Sequence, residues 1–182
     1  MKATRILIAQ HRAIEALFEE LTRETGRQGR ARAASRLTEE IIAHMAGEEA
    51  IFYPAAQRVL GKSFGPQESA THTHASAALD SSAADPHFML RVQLRRVLAT
   101  HVQDPAFEPR SEALRLLFAH HVEVEETVLF PQVEEALADS QLETLGGDVL
   151  GSRPPIWLVT TEGRALIRSS RPVRGMRLPA VR

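Results

Sequence analysis

The chain has 182 residues, enough for one domain with a sizeable core and a short extension. It contains no cysteine, which excludes a disulfide framework, a thiolate zinc site and thiol redox chemistry; any metal must be held by nitrogen and oxygen. The net charge of −1 hides a division, because the first 150 residues carry 15 basic and 22 acidic side chains whereas residues 151–182 carry seven Arg, no Lys and one acid, Glu162.

That division sets the expected organisation: an acidic folded unit over residues 1–150 and an Arg-rich, disordered tail over residues 151–182. The N-terminal apolar run is broken by Gln10 and His11, too short for a secretion signal, and no stretch approaches membrane-spanning length. A cytoplasmic protein with no membrane partner is the expectation.

In chain order, the first helix is expected over residues 3–24, with Leu7, Ile8, His11, Ile14, Leu17, Phe18 and Leu21 on one face and Gly26 as a stop. A short polar connection over residues 26–30 implies an antiparallel neighbour. The second helix is expected over residues 32–60, ending at Gly61 and kinked at Pro54, since proline removes a backbone donor and crowds the preceding turn. Residues 62–85, rich in Gly, Pro, Ser, Thr and Ala, read as a loop with a short helix. Asp85 and Pro86 are a helix start, and the third helix follows to about residue 100 with His87, Leu90, Leu94 and Leu98 in a stripe. A fourth helix over residues 110–138, kinked at Pro131, and a short one over residues 140–145 complete the folded part. The fold class is all-α, an antiparallel four-helix up-down bundle.

One written pattern occurs twice. Residues 44–54 read HMAGEEAIFYP and residues 121–131 read HVEVEETVLFP, both fitting H-x-x-x-E-E-x-x-x-[YF]-P. A residue four positions on lies about 40° around a helix, so His44 and Glu48 point the same way, as do His121 and Glu125. Flanking apolar residues at three- and four-residue spacing, Leu37, Ile41, Ile51 and Ala55 in one copy and Leu114, Leu117 and Val128 in the other, put these pairs on the bundle seam. Glu49 and Glu126, about 140° from the histidines, are read as solvent-facing. Tyr53 and Phe130 occupy matching positions and are read as core rings, and His120, about 100° from His121, as exposed.

The first and third helices correspond as well. His11 precedes His44 by 33 residues and His87 precedes His121 by 34, so the chain reads as two helical hairpins of one design. A single inward histidine is more often a hydrogen-bonded core residue than a ligand. Two His/Glu pairs on the seam reverse that reading, because an ionised carboxylate in a core costs several kcal/mol unless a cation compensates it. Together His11, His44, Glu48, His87, His121 and Glu125 supply four imidazoles and two carboxylates, and one carboxylate from each hairpin suits two adjacent metal ions.

At these residues the chain resembles the hemerythrin-like, or HHE cation-binding, family over roughly residues 3–140. The resemblance implies a hemerythrin-like bundle holding two non-haem iron ions, with Glu48 and Glu125 as bridging ligands and His11, His44, His87 and His121 as terminal ones. Manganese or zinc suits the same donors. Ferritin-like di-iron proteins use Glu-x-x-His, and no histidine here has Glu three positions before it. Oxygen-carrying hemerythrins place a second histidine four residues along the third helix, where this chain has Ala83 and Arg91. Water or another ligand would complete the shell, or His72 or His74 with Glu68 would replace or supplement His87.

The function expected is binding, sensing or detoxification of dioxygen, peroxide or nitric oxide, or iron handling, with a weak catalase-like peroxide activity as the enzymatic form. The alternative is a regulatory or interaction bundle acting through its basic tail, whose seven Arg could contact nucleic acid.

Overall fold

The computed structural model describes residues 1–61 and 87–152. Every regular element among them is helical: α1 (Ala3–Arg23), α2 (Arg27–Gly47), a π-helical turn (Glu48–Phe52), α3 (Tyr53–Leu60), α4 (Phe88–Leu98), α5 (Phe107–Val124), a second π-helical turn (Glu125–Leu129), α6 (Phe130–Ala136) and α7 (Asp139–Gly151). The first hairpin pairs α1 with α2, which continues into α3; the second pairs α4 with α5, which continues into α6, and α3 packs on α6. The tail, the segment with Glu68, His72 and His74, and the Asp85 and Pro86 start of the third helix lie outside the described residues. No described helix is long and apolar enough to cross a membrane.

The first connection is tighter than the sequence suggests. Helix α2 begins at Arg27, because Gly26 serves as its N-cap in an extended conformation and Arg30 N–H closes the first turn onto the Gly26 carbonyl at 2.9 Å. Arg and Gln are good helix formers, so their polarity alone did not mark a loop. At the other end, Gly61 adopts φ 63° and donates its N–H to the Gln57 carbonyl at 3.0 Å, a left-handed stop that favours glycine. Helix α7 is longer than the expected residues 140–145. It lies across the start of α1 through Gly146, where a Cβ would meet the Met1 carbonyl oxygen at 2.3 Å.

Pro54 and Pro131 act through the turns that precede them. A proline in a regular helix leaves the carbonyl four residues earlier without a donor. Here the chain widens by about one residue into an i to i+5 turn. Tyr53 N–H bonds the Glu48 carbonyl, and Phe130 N–H bonds the Glu125 carbonyl. The extra residue rotates the register, so Phe52 and Leu129 enter the core while Ile51 is only partly buried and Val128 is 50% exposed. The seam expected at Ile51 and Val128 is thereby moved by one position. In α1, likewise, Ile6 is buried and Ile8 only partly so.

The core falls into two apolar clusters. One gathers Ile14, Leu17, Phe18, Leu37, Ile41, Leu94, Leu114 and Phe118 at the end where α1 turns into α2. The other gathers Leu7, Phe52, Tyr53, Phe130, Val133, Leu142 and Val149 under α7. Each fully buried side chain of this size is worth about 1.5–3 kcal/mol of transfer free energy. Between the clusters lies a polar layer.

Candidate metal centre

That layer consists of His11, His44, Glu48, His87, His121 and Glu125, all buried, with His11, Glu48 and His87 at 0% exposure. Helix α1 contributes His11, α2 contributes His44, and the two π-helical turns open on Glu48 and Glu125. His121 comes from α5, and His87 is the residue on which α4 starts, its carbonyl accepting from Arg91 N–H at 2.8 Å. The sequence placed all six on inward faces.

The ring nitrogens converge on the acids. His44 Nε2 lies 3.2 Å and His87 Nε2 3.1 Å from Glu48 Oε2. His11 Nε2 lies 3.2 Å and His121 Nε2 3.4 Å from Glu125 Oε2. Each carboxylate thus faces the histidine one turn back on its own helix and one from the other hairpin's first helix. His11 Nε2 and His44 Nε2 stand only 3.2 Å apart. One donor atom each from His11, His44, Glu48, His121 and Glu125 fits within a mutual distance of 4.8 Å, close enough to share a cation. His87 joins this group through Glu48.

Burial governs the electrostatics. The His44 pKa is driven well below the usual imidazole range, by burial first and then by the neighbouring His11. Burial likewise lowers His121 to about 4, against the opposing pull of Glu125. Both rings are neutral at neutral pH, the form that binds metals. The Glu48 carboxyl is raised well above the usual range by burial and by the Glu125 charge. At Glu125, burial pushes upward but is outweighed by the hydrogen bond to His11 and the His121 charge, leaving the group at about 2. Burial and the neighbouring charges thus push the two acids in opposite directions, Glu48 upward and Glu125 downward.

Three groups outside the expected set reach this layer. Tyr53 donates its hydroxyl to Glu125 Oε1 at 2.7 Å and lies 3.1 Å from His87 Nε2, so it is more than the core ring expected. The π-helical turn explains it: five residues after Glu48, an α-helix would have turned the ring away, and the wider turn brings it back. Burial, then the Glu48 charge, holds the phenol well above its usual range and thus protonated. Phe130, its counterpart, stacks on His11 with centroids 5.9 Å apart.

The other two are Glu49 and Glu126, read as solvent-facing and found half-covered against the opposite hairpin. Glu126 Oε1 lies 2.8 Å from His11 Nδ1 and Glu49 Oε1 lies 2.7 Å from His87 Nδ1. A residue about 100° past a seam residue faces the adjacent helix of a bundle rather than water. The signal was in the repeat, because a second acid kept in both copies has no use on a solvated face. Gln10 completes the ring of partners, its Oε1 3.0 Å from His44 Nδ1. His120 is exposed, as expected.

A cation fits these donors. Among the described residues, the buried side-chain atoms without a hydrogen-bond partner are both Glu48 oxygens, Glu125 Oε2, His121 Nε2 and Ser111 Oγ. Four of the five belong to this layer and face its centre, where a positive ion would meet all of them.

Comparison with known proteins agrees. The profile of the Hemerythrin HHE cation binding domain matches residues 2–133. A solved hemerythrin HHE cation-binding domain-containing protein from Mycobacterium kansasii superposes with a TM-score of 0.66 at 19% identity, covering 93% of this chain and 94% of that one. At that identity the likeness concerns the fold. No curated protein matches the chain.

Proposed function

The chain belongs to the hemerythrin HHE cation-binding family, and on that premise we propose that it is a non-haem di-iron protein that binds, senses or detoxifies dioxygen, peroxide or nitric oxide, or handles iron. The observation that carries this reading is the layer of six buried donors with four unsatisfied atoms facing one another. Two carboxylates and four imidazoles exceed the four donors of a tetrahedral structural zinc, and the donor set suits iron, with manganese and zinc as competitors. Under this reading Glu48, Glu125, His11, His44, His87 and His121 would hold the metal pair. An iron pair supplies two electrons and open coordination positions to a small ligand.

The protein's own residues do the rest. Tyr53 keeps its proton and donates a hydrogen bond from its hydroxyl to Glu125 Oε1, fixing that carboxylate's direction beside His87. A cavity of about 380 Å³ between α4 and α5 has Tyr53, His121 and Glu125 among its walls, with Met89, Leu117, Val124 and Val128 as apolar lining. Such a wall favours small neutral ligands over ions, since desolvating a charge there is costly. Hydrogen peroxide disproportionation needs no outside reductant: one peroxide loses two electrons and two protons to become dioxygen, and a second takes them up to give two waters.

Elemental analysis of chelator-free protein, before and after anaerobic loading with ferrous iron, tests the reading. Two irons per chain is the expected result. No transition metal retained after loading would overturn it.

A further inference from the structure

The doubled acid of each motif is only half used by the cation layer. Glu48 and Glu125 face inward; Glu49 and Glu126 reach sideways, and each crosses to the other hairpin. Glu49, from the first hairpin, meets His87 Nδ1 of the second at 2.7 Å, and Glu126, from the second, meets His11 Nδ1 of the first at 2.8 Å. The exchange is reciprocal.

An ionised carboxylate only accepts hydrogen bonds, so in both contacts the imidazole must donate from Nδ1. That assignment makes Nε2 the acceptor nitrogen, the atom 3.1 Å from both Glu48 and the Tyr53 hydroxyl in His87 and 3.2 Å from Glu125 in His11. Each acid is fixed in turn from outside. Arg91 bonds Glu49 Oε1, and Arg12 reaches Glu126 Oε2 while also bonding Glu15 at 3.0 Å. His44, one of the second-helix histidines, has instead a neutral partner at Nδ1, the Gln10 amide at 3.0 Å.

From this geometry we infer that Glu49 and Glu126 are positioning residues, each locking the first-helix histidine of the opposite hairpin in its Nδ1–H tautomer, so that cation retention requires the two hairpins to be docked. The inference rests on the cation reading of the layer. It also accounts for the Glu-Glu doubling in both motifs, because one acid faces the cation and the next orients a ligand supplied by the other hairpin. Outer partners of this kind commonly change metal affinity 10- to 100-fold when removed.

The test uses the full chain, with Glu49→Ala, Glu126→Ala, Glu49→Gln and Glu126→Gln variants and Glu123→Ala as an exposed control. Long-range proton–nitrogen spectra of the metal-free proteins report the tautomers of His11 and His87, and competition with a chromophoric chelator reports ferrous affinity. Each alanine variant is expected to lose the single Nδ1–H tautomer at the facing histidine only, Glu49→Ala at His87 and Glu126→Ala at His11, and to bind iron 10- to 100-fold more weakly. The glutamine variants keep an acceptor oxygen in place and should retain the tautomer with an intermediate affinity. Thermal melts establish folding, and should an alanine variant not fold, the glutamine variant with its arginine clamp removed, Arg91→Ala or Arg12→Ala, reads the same histidine. Unchanged tautomers in folded alanine variants, or affinities within twofold of the parent, overturn the inference. A parent that binds no metal overturns the cation reading instead, and the tautomer spectra still decide whether the acids position the rings.

Discussion

The two hairpins carry the same donors, His, His and Glu, in the same order, yet they surround the polar layer differently. In the first, the residue before the proline is Tyr53, whose hydroxyl enters the layer and bonds Glu125. In the second it is Phe130, which can only stack on His11 and closes that side with carbon. Helix α1 runs for 21 residues and is covered at its start by α7, whereas α4 runs for 11 and begins on the buried His87. A repeat in sequence thus reproduces the donors, while the differences between copies make the surroundings of the two carboxylates chemically unequal. The Tyr53 side is polar at its edge and adjoins the cavity, whereas on the other side the Phe130 ring lies over His11.

The comparison breaks most completely if the shared part is removed. Glu48→Ala and Glu125→Ala should each abolish cation retention, because either loss removes a donor that both hairpins face. A ligand bound only by the native state at a thousand times its Kd stabilises by about 4 kcal/mol. The difference in Tm between iron-loaded and metal-free protein should therefore collapse in both variants. If one variant keeps its metal while the other loses it, the hairpins are not equivalent even in their ligands.

Tyr53→Phe makes the hairpins alike. It leaves Glu125 Oε1 without the hydroxyl donor, and an unsatisfied buried acceptor costs about 1–3 kcal/mol. Denaturant unfolding of the metal-free protein measures that cost. Phe130→Tyr in the same chain should not restore the loss, since its hydroxyl would start from the His11 side.

The upward shift at Glu48 gives a pH effect of similar size. The Glu48 pKa is raised in the metal-free protein by burial and the Glu125 charge, so cation binding must displace a proton. Apparent affinity is then expected to rise about tenfold per pH unit for each proton released, up to the raised Glu48 value, and level off above it. Glutamine at position 48, tested as Glu48→Gln, should flatten the profile. Titration calorimetry in buffers of different ionisation enthalpy counts the protons.

At the small end, Arg36 in α2 bonds Glu20 in α1 at 2.7 Å with Arg36 largely and Glu20 partly exposed, and Arg36→Ala should cost no more than about 1 kcal/mol. A melt that falls further would mean that the α1–α2 contact depends on surface charge more than on its core.

How much of this was legible in the sequence follows from the period of a helix. His11, His44, Glu48, His87, His121 and Glu125 could be placed on inward faces because i to i+4 spacing is fixed by 3.6 residues per turn, whatever the helix packs against. The all-helical class, the hairpin pairing and the stop at Gly61 followed from the same local rules. Three things required the folded chain. The π-helical turns replaced Ile51 and Val128 with Phe52 and Leu129 in the core, because relief of a proline within a packed helix depends on what surrounds it. Tyr53 entered the layer on that account. Glu49 and Glu126 found their histidines only when the two hairpins docked, since each contact joins residues from different halves of the chain, 38 and 115 positions apart. Local periodicity fixes which way a side chain leaves its own helix; what it meets there is decided by the neighbouring helix, and no spacing within one hairpin encodes that partner.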